Sequence, residues 1–136
     1  MLHQPSGALG VKLARPNQRV VQICGDGSFD FPTPDSVYSV AQEYRLPIFT
    51  VVLDNGGWGA VKASTLRVYP GGVAKETDSF HARLGSGRRF EQVAQAFGAH
   101  GASVDDPAEL EGAIKGCLAA LDDGRSAVLA ARVTPI

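Results

Sequence analysis

Cysteine is scarce in this sequence: Cys24 and Cys117 are the two present, far apart and at no metal-ligand spacing. That excludes a disulfide framework or a zinc site and leaves each thiol as a small buried hydrophobe of a reducing compartment. No apolar run is long enough to cross a bilayer, and no basic-plus-apolar leader opens the chain. A soluble cytoplasmic protein is therefore expected, or an organellar one trimmed of its transit peptide, with no membrane partner. Charge of one sign is missing as well: thirteen basic against fourteen acidic residues give a net charge of -1 without a basic stripe. Nucleic acid is thereby disfavoured, and small molecules or other protein chains are the expected partners. Internal repeats and low-complexity segments are also absent.

What is present is enough apolar material, 44% of 136 residues, for one compact domain over 1-136. Residues 19-24 form a short β-branched run that stops at Gly25-Asp26-Gly27 and reads as a strand ending in a loop. Over 33-45, Thr33 is positioned to cap, Pro34 suits a first helical turn, and Val37, Val40, Ala41 and Tyr44 recur at helical spacing. Pro47 then opens an almost unbroken apolar strand, 48-53, which halts at Asp54-Asn55-Gly56-Gly57. Strands this apolar are normally covered on both faces. Helix is expected from Trp58 to about Arg67, a long surface loop over 69-88, and a helix from Phe90 to Phe97 closed by Gly98. Strand 100-104, helix 107-121 and strand 126-133 follow. Residues 7-14 read as the last turns of a helix. The alternation predicts an α/β fold, a doubly wound, mostly parallel sheet with helices on both faces.

Ligands of open α/β sheets bind beyond the carboxyl ends of the strands. Two loops lie at such ends. The first offers the Asp26 carboxylate between Gly25 and Gly27, followed by the Ser28 hydroxyl. The second offers the Asn55 amide oxygen and the backbone carbonyls of Gly56 and Gly57. Carboxylate, amide and carbonyl oxygens suit magnesium or calcium and leave positions open for phosphate oxygens. Each loop alone is a turn by composition; order, strand context and separation give the pair its meaning.

Gly25-Asp26-Gly27-Ser28-Phe29, followed by Val51-Val52-Leu53-Asp54-Asn55-Gly56-Gly57-Trp58-Gly59, resembles the thiamine-diphosphate motif of the acetolactate synthase and benzoylformate decarboxylase family. The likeness runs over nearly the whole chain, and it marks the domain as N-terminally truncated relative to the family. It implies that Asp26, Asn55 and the carbonyl of Gly57 bind Mg2+. It further implies that Gly25, Gly27 and Ser28 serve the diphosphate, and that Trp58 and Gly59 lie near cofactor and substrate. Asp54 replaces the usual first asparagine, and the interval from Asp26 to Asn55 is slightly long; neither departure removes a metal ligand.

By the same resemblance, the aminopyrimidine ring is bound by a separate pyrimidine-binding domain or subunit that supplies an activating glutamate. The 136 residues have no length for it. The chain alone is therefore expected to be inactive, contributing to a homo- or hetero-oligomer that decarboxylates or carboligates 2-oxo acids. Two alternatives remain. One is a non-catalytic assembly module of the same fold. The other is a Rossmann-type dinucleotide domain, mimicked by Gly25-x-Gly27 and Asp54, although Asp30 stands where the third glycine belongs and Asp26 would face a pyrophosphate unneutralised.

Other candidates have plainer readings beside the functional one. His3 and His100 lie outside both motif loops, and His100 reads as structural. His81 sits in the 69-88 loop, where it is placed either to meet substrate or simply to be solvated. Trp58 is a wall of the site or ordinary core. Arg83, Arg88 and Arg89 read as a solvated face.

Overall fold

A computed structural model describes residues 5-85 and 87-135. Its elements are helix α1 (Pro5–Ala14), strand β1 (Val21–Gly25), helices α2 (Asp26–Asp30) and α3 (Pro34–Glu43), and strand β2 (Phe49–Asp54). Helices α4 (Gly59–Val68), α5 (Val73–Glu76) and α6 (Phe90–Gln95) lead to strand β3 (His100–Val104). A 3-10 turn (Pro107–Glu109), helix α7 (Leu110–Asp122) and strand β4 (Ala127–Arg132) complete the chain.

The four strands form one parallel sheet in the order β1-β2-β4-β3. Side chains alternate across it, and each face has its own core. On one face Cys24, Ile48, Val52 and Val128 pack with Ala8 of α1, Phe29 of α2, Val37 and Tyr38 of α3, and Phe90 and Ala94 of α6. On the other, Phe49, Ala127 and Leu129 pack with Cys117, Ala120 and Leu121 of α7. The expected doubly wound α/β architecture is thus present. Both thiols are buried, and burial pushes each up to about 11, so they remain neutral hydrophobes. Within the first core the Tyr38 hydroxyl donates to Thr50 Oγ1 at 2.9 Å, which pairs two buried hydroxyls contributing about 1 kcal/mol.

Three local expectations are corrected. Gly25–Ser28 is not a loop, because β1 passes directly into α2 at Asp26. Thr33 does not cap α3 with its side chain; its backbone sits at φ 55, ψ 73, and Pro34 alone does its expected work at the first turn. The 69-88 stretch is not wholly loop, since it contains the short helix α5. Helix α7 begins with a 3-10 turn capped by Asp106, whose Oδ1 accepts from the Ala108 N–H at 2.9 Å.

Cover is uneven. Helix α7 shields β3 and β4 on its face, while β1 leaves Val21 and Ile23 open, Ile23 at 63% exposure. Helix α4 buries none of its residues. Among the described residues no helix is long and apolar enough to cross a membrane.

Candidate functional site

Strands β1 and β2 are neighbours, with Gly25 in register with Leu53, so Asp26 and the turn after Asp54 emerge side by side at the carboxyl edge. Asp26 opens α2 and is 2% exposed. Its Oδ1 accepts from the Gly27 N–H at 2.9 Å, and its Oδ2 is buried with no hydrogen-bond partner among the described residues. Loss of water raises the Asp26 pKa above the usual carboxylate value, and the nearby Asp54 carboxylate raises it further; the Gly27 N–H and Arg88 pull the other way.

The second turn is built by two side chains that fold onto the backbone two residues on. Asp54 Oδ1 accepts from the Gly56 N–H at 3.0 Å and Asn55 Oδ1 from the Gly57 N–H at 3.2 Å. Gly56 takes φ +79, a conformation that favours glycine. A distant segment then stitches the turn in place. The Trp58 N–H donates to the Ala82 carbonyl at 2.7 Å, the Leu84 N–H donates to the Gly56 carbonyl at 2.8 Å, and Gly57 forms an antiparallel bridge with Arg83.

Between the two strand ends lies a cavity of about 550 Å³. Each sequence-predicted site residue, Gly25, Asp26, Gly27, Ser28, Asn55, Gly57, Trp58 and Gly59, lines it. Gly25 has free space where a side chain would go, so close approach at this position is not forced by the chain itself. At Gly27 an added methyl would fall 2.1 Å from Trp58 Nε1, so the indole has glycine as its floor. Trp58 is therefore wall rather than core, 36% exposed and stacked on Phe31 at 6.1 Å between centroids.

His81 also lines the cavity, in a left-handed conformation at φ 49. His100 lies at the opposite end of the sheet, where its N–H donates to the Ser126 carbonyl, and His3 falls outside the described residues. The reading of the arginines as a solvated face is corrected at Arg88 and holds at Arg83 and Arg89, which are exposed. Arg88 Nη2 lies 2.6 Å from Asp30 Oδ2 with its guanidinium 4.6 Å from the Phe90 ring centroid, and Arg89 Nε donates to the buried Glu91. Arg83 stays exposed and pairs with Asp78.

Sequence reasoning missed Phe31, the Asp26–Asp54 proximity, and the stitching of 82-84 to 56-58. Only the second left a signal, as the carboxylate standing where an asparagine is usual. Among the described residues no group of three or more His, Cys, Asp or Glu side chains is gathered tightly enough to hold a metal alone. A cation here would take one carboxylate, amide and carbonyl oxygens, and the oxygens of its ligand, an arrangement suited to magnesium.

Residues 1–131 match the family described as thiamine pyrophosphate enzyme, C-terminal TPP binding domain. The chain is 34% identical over 111 residues to a probable acetolactate synthase of Mycobacterium bovis, covering 82% of this chain and 19% of that one. It is 34% identical over 113 residues to a benzoylformate decarboxylase of Pseudomonas aeruginosa, covering 83% and 20% respectively. In fold it resembles a thiamine diphosphate-dependent 4-hydroxybenzoylformate decarboxylase of Rhodococcus jostii, with a TM-score of 0.76 and 23% identity over 96% of this chain and 22% of that one. The chain thus spans about a fifth of the length of the relatives it matches. Family membership sets aside the dinucleotide-binding alternative. With its parallel sheet, its paired strand-end turns and these matches, the chain belongs to the C-terminal thiamine-pyrophosphate-binding domain family of thiamine pyrophosphate enzymes.

Proposed function

We propose that this domain anchors the diphosphate of thiamine diphosphate through Mg2+, held by Asp26, Asn55 and the Gly57 carbonyl. The enzyme it serves decarboxylates or carboligates 2-oxo acids. The observation that carries the reading is the state of Asp26: a buried carboxylate with one oxygen unpartnered, beside a second carboxylate, in the wall of a cavity shared with Asn55 and Gly57. An anionic ligand could not rest against two carboxylates unaided. A divalent cation offsets both repulsions and gives the orphaned oxygen its partner.

The donor set fits the group. Asp26 supplies charge, Asn55 and Gly57 supply neutral hard oxygens, and the cavity leaves room for the remaining ligands. When bound, thiamine diphosphate supplies the electron sink that decarboxylation of a 2-oxo acid requires. The chain's own part is to neutralise and position. Helix α2, packed through Phe29, fixes Asp26, and the stitched turn fixes Asn55 and Gly57. A pyrimidine-binding domain or subunit, with its activating glutamate, completes the site in an oligomer.

Asp26→Ala and Asn55→Ala are expected to abolish magnesium-dependent cofactor binding in the assembled enzyme. Calorimetry with and without magnesium measures this, and unchanged affinity in either variant removes that residue from the metal set.

A further inference from the structure

Asp54 ends β2 with a charge that the strand-end turn does not need, since a neutral side-chain oxygen would hold the Gly56 N–H equally well. Cys24 and Val52 are cross-strand partners that face the first core, as do Val128 and Ala130. Alternation carries the next residues on that face, Asp54 and its partner Arg132, out at the carboxyl edge where Asp26 also emerges. Asp54 Oδ1 accepts from the Gly56 N–H at 3.0 Å, and Oδ2 stands 4.0 Å from Arg132 Nη2. That arginine is drawn more closely elsewhere, its Nε lying 3.0 Å from Asp105 Oδ1. Arg88 lies 2.6 Å from Asp30 and Arg83 lies 3.1 Å from Asp78. Each guanidinium at this edge thus has a closer carboxylate of its own, and the charge of Asp26 and Asp54 together is left in excess.

Asp54 is not among the described residues that line the 550 Å³ cavity. With Asn55, Gly56 and Arg132 it lines a neighbouring cavity of about 250 Å³, and Asn55 is common to both. Its carboxylate therefore stands behind the turn whose oxygens face the cofactor side.

We propose that Asp54 is a metal-loading residue, acting through its charge from behind the Asn55 turn to hold a divalent cation at Asp26 and Asn55 before any diphosphate arrives. This deepens the site reading above and rests on it. An anion arriving first meets two carboxylates, and a cation arriving first is attracted by both and gives the buried, unpartnered Asp26 Oδ2 its ligand. Affinity for a hard cation rises with the number of charged oxygens around it, so the second carboxylate makes the site competent for the metal alone. Once the diphosphate is in place it supplies that negative charge itself, and Asp54 no longer helps.

Two titrations of the full chain separate these roles. In one, magnesium chloride is added alone and followed by calorimetry, with manganese chloride followed in parallel by loss of the free-ion spin-resonance signal. In the other, preformed magnesium pyrophosphate is added. Circular dichroism confirms the fold of every variant. Wild type is expected to bind in both. Asp54→Asn keeps the acceptor for the Gly56 N–H and loses the charge; it is expected to bind the bare metal about tenfold or more weakly and magnesium pyrophosphate as tightly as wild type or tighter. Asp54→Ser, a second neutral acceptor, is expected to do the same and stands in should the asparagine variant not fold. Asp26→Asn is expected to weaken both.

Asp54→Asn binding the bare metal as tightly as wild type, or wild type taking up magnesium pyrophosphate but no bare metal, overturns the proposal and leaves the site reading standing. Equal losses in the two titrations also overturn it, because Asp54 then acts on the bound complex rather than on loading. No binding of magnesium pyrophosphate by wild type, or Asp26→Asn binding it as tightly as wild type, overturns the site reading and the proposal together.

Discussion

A methyl group at position 27 would overlap the indole of Trp58, so the second glycine of the first motif answers to a side chain thirty-one positions along the chain. Its backbone is helical and would otherwise welcome alanine, which is favoured over glycine by roughly 0.5–1 kcal/mol inside a helix. Gly27→Ala is therefore expected to destabilise the domain by about 1–3 kcal/mol through forced displacement of Trp58. In a Trp58→Ala background the same change is expected to become neutral or stabilising. Urea unfolding of the four proteins gives the coupling, and a cost that persists without Trp58 would place the strain elsewhere. At this scale the sequence was informative about identity and silent about contact. Asp26 and Asn55 were legible because each closes an apolar strand with oxygen donors. Phe31 was not, because stacking on Trp58 depends on how two turns approach one another.

Among the elements, strands and long helices followed apolar periodicity, with ends moved by three residues at most. The departures arose where tertiary forces override local signals. Helix α2 forms from a sequence that reads as a turn because Phe29 is drawn into the core and pulls Asp26–Asp30 into a helical turn. Thr33 has a capping side chain, but in the short connection between α2 and α3 its backbone adopts the left-handed region instead. Thr33→Asn, which tolerates that conformation better, is expected to stabilise the domain by roughly 0.5–1 kcal/mol. Thermal unfolding would register this as a small rise in Tm, and a fall would show that the threonine methyl or hydroxyl contributes something of its own. Helix α5 was hidden because Val73–Glu76 is too short for periodicity to reveal.

For the whole molecule, the two-faced core was legible because the two central strands, β2 and β4, are nearly unbroken apolar runs, as parallel strands are when helices cover both sides. That cover is incomplete, since Val21, Ile23, Phe31 and Leu53 remain open to solvent. A domain that spans a fifth of its relatives and holds one half of the proposed site is expected to show no turnover of 2-oxo acids alone. Mixing it with a candidate pyrimidine-binding domain and assaying carbon dioxide release tests this. Turnover by the isolated chain would contradict the division of labour proposed here, and failure of every partner would favour the assembly-module alternative.

The bonds from Trp58 to Ala82 and from Leu84 to Gly56 have an architectural consequence. They close the neck of a lobe, residues 59-81, whose main helix is buried nowhere along its length. A lobe tied at its base transmits little of its own shape to the ground it stands on. Its contents are free to lengthen, shorten or change character, altering what is admitted to the cavity, while the oxygens beneath it stay where they are.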